Sequence, residues 1–242
     1  EPLLPGVNFI RFNNIDDINL ITAKTAAVVL ETIQGGAGFI LPTNNYLKLV
    51  KQKCEDTGAL LILDEIQPGF GRTGKLFSFE HFNLVPDILV MGKGMGGGLP
   101  IGAFCSSKKI MKLLESKPKL GHITTFGGNP VVAASALATI ETIYKENLID
   151  SVDTKEKLFR KRLKHPLIKR INGKGLMLAI IFDKKSTANT LVLNSMDRGL
   201  ILFWLLWEKK AVRVSPPLNI SVKEINKGCD IIISVLNKII NP

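Results

Sequence analysis

At 242 residues, 45% hydrophobic and 22% charged, the chain has ordinary globular composition and enough length for one large core or two smaller ones. Disorder is excluded, and the longest apolar runs, such as residues 200–207, are too short to cross a bilayer as a helix. The net charge of +11 leaves an anionic or nucleic-acid partner open.

The chain opens on Glu1 within EPLLPG, which reads as mid-chain loop, so the true N-terminus is expected upstream. The run AAVVL at 26–30 reads as a buried strand. Residues 44–56 then carry Tyr46, Leu47, Leu49, Val50 and Cys54 at helical spacing, and Gly58 closes that helix. ALLIL at 59–63 and DILVM at 87–91 are two further buried strands. Uninterrupted apolar strands separated by a helix predict a parallel sheet covered on both faces, an α/β arrangement. Residues 129–144 read as a long, well-buried helix, with Asn129 as N-cap and Pro130 in the first helical position. From about residue 147 the character changes. A charged helix at 151–164 precedes a strand pair within 168–182, a helix at 187–198, strands at 200–205 and 211–214, and an amphipathic helix at 222–240. The expected division is therefore 1–146, an α/β domain, and 147–242, a smaller α+β domain.

Cys54, Cys105 and Cys229 are far apart in apolar surroundings and form neither a CxxC pattern nor a disulfide framework. They read as buried inert thiols in a reducing, hence cytoplasmic, compartment. His81, His122 and His165 are equally scattered, and no metal site is expected. Residues 155–174 hold nine lysines and arginines against the single acid Glu156. A nucleic-acid footprint would be this basic, but Phe159 is its only ring, so a solvated helix face is the expected role.

In open α/β sheets, functional groups gather beyond the carboxyl ends of the strands. Past the ends of the three expected strands stand Glu31, then Asp64, Glu65 and Gln67, then Gly92 and Lys93. Lys93 lies in MGKGMGGGLP, among small residues that let the backbone approach a bound group closely. A lysine whose ammonium is disfavoured becomes a nucleophile and forms a Schiff base with an aldehyde; the bland alternative is an exposed loop lysine. Gly92, Gly94 and Gly97 also spell GxGxxG. Pro100 stands where a dinucleotide-binding helix would open, and no Ser or Thr succeeds the lysine as a P-loop requires.

Four segments in order carry a resemblance: LILDEIQ (61–67) with GFGRTG (69–74), PDILVMGKGMGGGLPIGA (86–103), TTFGGNP (124–130) and VRVSPPL (212–218). Together they resemble the class III, fold-type-I aminotransferases, the group of ornithine, acetylornithine and 4-aminobutyrate aminotransferases. The resemblance implies pyridoxal 5'-phosphate as cofactor, a mainly parallel large domain and a small C-terminal α+β domain. It also implies amino acid and keto acid substrates and a homodimer with shared active sites. Lys93 matches the Schiff-base lysine, Asp64 the carboxylate on the pyridine nitrogen, and Gln67 the amide near the ring's phenolic oxygen. Thr125 matches the residue that reaches the cofactor phosphate of the neighbouring subunit, and Arg213 the arginine that clamps a substrate carboxylate. Glu31 belongs to the site wall.

Two departures stand out. The family's N-terminal portion, with its glycine-rich phosphate turn and its ring-stacking aromatic residue, has no counterpart in these residues. ETIQGGAG at 31–38 matches a segment that commonly reads EPIQGE, so that Gly36 stands where terminal-amine-using relatives have a glutamate that neutralises the arginine. Two rival functions accompany the aminotransferase reading. One is an aminomutase of the same fold, and the other a basic nucleotide- or nucleic-acid-binding module.

Overall fold

The computed structural model describes residues 4–43, 45–115, 118–119 and 122–240. Glu1 and Asn44, expected respectively in loop and at a helix start, lie outside the described residues. The first half builds a four-stranded sheet ordered β1-β2-β3-β4. Its strands are β1 (Ala27–Glu31), β2 (Leu60–Asp64), β3 (Ile88–Gly92) and β4 (Gly102–Ser106). The first three run parallel and β4 returns antiparallel to β3, an edge strand that the apolar pattern did not announce. Helix α1 (Tyr46–Thr57) crosses between β1 and β2, and ends where Gly58 turns left-handed at φ 77°. Tyr46, Leu47, Val50 and Cys54 of α1 bury against Val28, Leu30, Leu61 and Leu63.

Among the described residues the second face of the sheet is covered only in part, Leu60 and Ile62 being half-buried. Successive side chains alternate between faces, and Val29, on the face away from α1, is 65% exposed. A short helix α2 (Lys108–Met111) follows β4, and α3 (Pro130–Lys145) follows in turn. Asn129 caps α3 as expected, its Oδ1 accepting from Val131 N at 3.0 Å and Val132 N at 3.3 Å. Among the described residues α3 is also less buried than the well-buried helix expected. It packs along one face only, on the turn after β3, and leaves Val131, Leu137 and Tyr144 exposed while Ala136 and Ile143 are buried.

The second half forms an antiparallel sheet ordered β5-β6-β8-β7, from β5 (Ile168–Lys174), β6 (Met177–Phe182), β7 (Phe203–Trp204) and β8 (Ala211–Val214). Helices α4 (Val152–Arg162), α5 (Lys185–Met196) and α6 (Val222–Ile240) complete it. The expected six-residue strand at 200–205 shrinks to β7, because Leu202 and Leu205 turn into the core and β8 offers partners only to Phe203 and Trp204. Every residue of β6 is buried, and its alternation sorts the core. Leu178, Ile180 and Phe182 face residues from α4, α5 and α6, among them Phe159, Leu191 and Ile232. Met177, Ala179 and Ile181 face Ile33 and Phe39 of the loop after β1. The 32–41 loop is thus wedged between the end of the first sheet and the inner face of the second.

Cys54 and Cys229 are buried free thiols, each pushed up to about 11 by desolvation. Cys105 corrects the expectation for the third, being exposed on edge strand β4. The basic stretch is partly spent inside the fold. Arg160 pairs with Glu156 at 2.7 Å and donates to the Ile171 and Gly173 carbonyls, and Arg162 and Lys169 pair with Asp230 and Asp183. Arg160 is thus spent inside the fold, while the Arg162 and Lys169 pairs are exposed, so part of the stretch is neutralised rather than presented as free cations. Among the described residues no helix is long and apolar enough to cross a membrane.

Candidate active site

The parallel register puts three strand ends level: Glu31 beside Asp64, and Asp64 beside Val90. Strand β3 then runs on to Gly92, and Lys93 opens a 3-10 turn over Lys93–Gly96 with φ 44°. A lysine in this left-handed region costs about 1 kcal/mol against an ordinary backbone. The strain is held by packing on both sides. Gly92 is paired with Gly102 of β4, Ser135 of α3 donates to the Gly96 carbonyl at 2.8 Å, and Thr139 closes on Gly97. The Lys93 amine is exposed, with no hydrogen-bond or ion-pair partner among the described residues.

Asp64 Oδ1 accepts from Ile66 N at 2.9 Å, and Oδ2 has no partner among the described residues. Glu31 Oε2 accepts from Gly35 N at 2.7 Å. A side chain at Gly35 would stand 2.2 Å from Gln67 Oε1 and 3.0 Å from Glu31 Oε2, so any substitution there would have to displace those side-chain ends. Glu31, Gly35 and Gln67 are therefore one contact group beside Asp64. Arg213 lies on β8 opposite Phe203, its guanidinium 5.3 Å from the ring centroid, a cation–π contact. No carboxylate pairs with it among the described residues. The structure thus groups Glu31, Asp64 and Gln67 at the carboxyl ends of β1 and β2, with Lys93 immediately after the adjacent strand β3. Arg213 comes from the other sheet, and Thr125 from an exposed loop before α3 that makes no hydrogen bond to the rest.

Two further residues belong to this region. Glu65 is fully buried and points away from Asp64, as adjacent residues at a strand end must. Its Oε1 accepts from Thr32 Oγ1 at 2.7 Å and Phe79 N at 2.8 Å, and its Oε2 from Ser78 N at 2.8 Å. Burial pushes its carboxyl up to about 7, against these hydrogen bonds, with Asp64's charge adding to the rise. Two adjacent acids at a strand end were the only signal in the sequence. Trp207, at the tip of the β7–β8 hairpin, lies against Gly36, and nothing in its local sequence marks that contact.

The donor set fits a cofactor with an aldehyde and a protonatable ring nitrogen. Among the described residues it offers a primary amine with no partner, a carboxylate with one oxygen unengaged, and an amide lying beside Gly35.

A sequence model of the aminotransferase class-III family matches residues 10–236. The chain is 37% identical to an acetylornithine aminotransferase of Caldanaerobacter subterraneus subsp. tengcongensis, across 98% of its own length and 60% of that protein's. An ornithine aminotransferase of Toxoplasma gondii, described with partial occupancy of PLP at its active site, matches with a TM-score of 0.91. Identity is 31%, covering 100% of this chain and 58% of that one. An acetylornithine aminotransferase of Elizabethkingia anophelis matches at 0.88 with 33% identity, covering 97% and 60% of the two chains. The chain spans about 60% of the length of these relatives.

Proposed function

The chain belongs to the class-III aminotransferase family, and from that premise we propose that the whole protein moves an amino group from an amino acid donor to a keto acid. The cycle is ping-pong: the donor leaves as a keto acid before the acceptor binds and leaves as an amino acid. Lys93 is the residue through which the cofactor is held and exchanged.

Pyridoxal 5'-phosphate, when bound, supplies an aldehyde that condenses with primary amines and a ring that withdraws electrons from the substrate's α-carbon. The chain's own residues do the rest. Asp64, through its free oxygen, keeps the ring nitrogen protonated. Gln67, held against Gly35, donates towards the phenolic oxygen, and Glu31 walls the same side. The Lys93 amine, once free, would serve as the general base and acid that takes and returns the proton at the substrate's α-carbon. Arg213 clamps a substrate carboxylate by paired charge-assisted hydrogen bonds. Thr125 of the partner subunit reaches the cofactor phosphate in a homodimer. The same reading divides the chain at 146/147 into cofactor-binding and C-terminal domains and places the protein in the cytoplasm, in keeping with two buried free thiols.

The observation that carries this reading is a lysine without a partner among the described residues, strained at φ 44°, directly after a strand whose neighbour ends in a carboxylate with one oxygen unengaged among them. The test is borohydride reduction of the full-length protein with cofactor, followed by peptide mapping. An adduct on Lys93 is expected. An adduct elsewhere, or none, overturns the assignment.

A further inference from the structure

Glu65 is a fully buried carboxylate whose partners are all neutral. They are the Thr32 hydroxyl and the amides of Ser78 and Phe79. No cation reaches it among the described residues, and the one charge acting on it, that of Asp64, is repulsive. Burying an unpaired acid is expensive, and a packing role alone would be met at less cost by an apolar side chain. What the acid joins explains the expense. Thr32 follows Glu31 directly, Glu65 follows Asp64 directly, and Ser78 and Phe79 open the 3-10 turn Ser78–Phe82. From there an aromatic path returns to the lysine. Phe79 stacks on Phe77 at 5.8 Å, Phe77 meets Phe70 edge-on at 5.4 Å, and Phe70 Cβ lies 3.8 Å from the side-chain position of Gly94.

We propose that Glu65 is a positioning residue for the transfer reaction, fixing Asp64 and Glu31 relative to the Lys93 turn through Thr32 and the Ser78–Phe79 amides. This role rests on the proposed aminotransferase function. Two acceptor oxygens serving three donors from two other segments form a tie that neither Gln nor Leu reproduces. An amide offers one acceptor oxygen and turns its own N–H groups on the remaining donors. A carboxylate lying against the residue after Asp64 also bears on how firmly Asp64 holds a proton at the ring nitrogen.

The test uses the full-length protein with pyridoxal phosphate. Thr32→Val keeps the shape and deletes one donor, Thr32→Ser keeps the donor, and Glu65→Gln is the second probe should Thr32→Val not fold. In Thr32→Val and Glu65→Gln the adduct should still form on Lys93. The pH midpoint of bound-cofactor absorbance should move by about half a unit or more, and kcat should fall about tenfold with KM within about twofold. In the apoprotein, hydrogen exchange at the Ser78 and Phe79 amides should quicken, and Thr32→Ser should restore all three readouts. If melting temperature falls while midpoint and kcat stay at wild-type values, Glu65 is only structural and the proposal is overturned. Wild-type protein that forms no Lys93 adduct fails one step earlier, at the proposed function, and removes the basis of this inference with it.

Discussion

The Gly36 carbonyl accepts hydrogen bonds from Trp207 N at 3.0 Å and Glu208 N at 3.3 Å, and a side chain at position 36 would begin 2.5 Å from Trp207 Cδ1. The space where terminal-amine-using relatives carry a glutamate is thus filled here by an indole. Gly36→Glu alone is expected to lose about 1–3 kcal/mol by overpacking without gaining activity on diamines. Gly36→Glu combined with Trp207→Ala removes the indole that occupies the space and should move preference towards diamines. The ratio of kcat/KM for a diamine and an α-amino acid, in the single and double variants, checks this. A shift in the single variant would mean that the indole yields freely.

Asp64→Asn should keep the fold, because an amide oxygen still accepts from Ile66 N. It cannot hold the ring proton, and a loss of about 4 kcal/mol corresponds to a roughly thousandfold slower transfer step. Single-turnover kinetics with full-length protein measure it directly, and near-normal rates would detach Asp64 from the ring nitrogen.

The Glu65 carboxyl, raised to about 7 in the fold, binds its proton more tightly there than in the unfolded chain. Its contribution to stability is therefore full below the ordinary carboxylate range and is lost as pH rises through about 7. The whole excursion is on the order of 3 kcal/mol. Urea unfolding of the apoprotein between about pH 5 and 8 should show this decline, and Glu65→Gln should flatten it. A stability that instead rises across that window would reverse the sign assigned here.

Arg72 is a buried guanidinium that donates to the carbonyls of Leu176 and Pro216, three residues past Arg213. Burial lowers its pKa. Arg72→Met should destabilise by about 1–3 kcal/mol through the orphaned carbonyls and should raise KM for carboxylate substrates, because the segment after Arg213 loosens. Arg72→Lys should recover only part of the loss, since both bonds leave Nη1 and the lysine side chain is shorter than the one that brings that nitrogen to the two carbonyls. Denaturant midpoints and KM values check both. Equal KM in all three proteins would separate Arg72 from the Arg213 segment.

Much of this was legible in the sequence. Helix α6 spans the expected 222–240 because its apolar side chains recur at 3.6-residue spacing, placing Ile225, Cys229, Ile232, Val235 and Leu236 on one buried face. Strands β1 to β3 were legible as short apolar runs, and the candidate residues at their ends follow from parallel pairing. Strand β4 was not, since GAFCS alternates weakly and its pairing comes from β3 rather than from its own pattern. The burial of α3 was misjudged for a related reason: an apolar composition shows that surface can be buried, not that something in these residues covers it. The roles of Glu65 and Trp207 stayed hidden because each depends on partners 13 to 171 positions away in the chain.

The ties that seat one sheet on the other share a property that bears on how such a sequence drifts. Arg72 reaches Leu176 and Pro216, Asn172 reaches Gly38 at 2.9 Å, and Trp207 and Glu208 reach Gly36. In every case the acceptor is a main-chain carbonyl, which no substitution of side chain deletes. Added salt, which screens pairs of surface charges, has no ion pair to weaken in these contacts. The distance between Arg213 and Lys93 should therefore hold across ionic strengths that strip the surface pairs Lys169–Asp183 and Arg162–Asp230. Among these bonds a substitution can delete only the two side-chain donors, so Arg72 and Asn172 are the members of the set that random mutation of this chain should tolerate least.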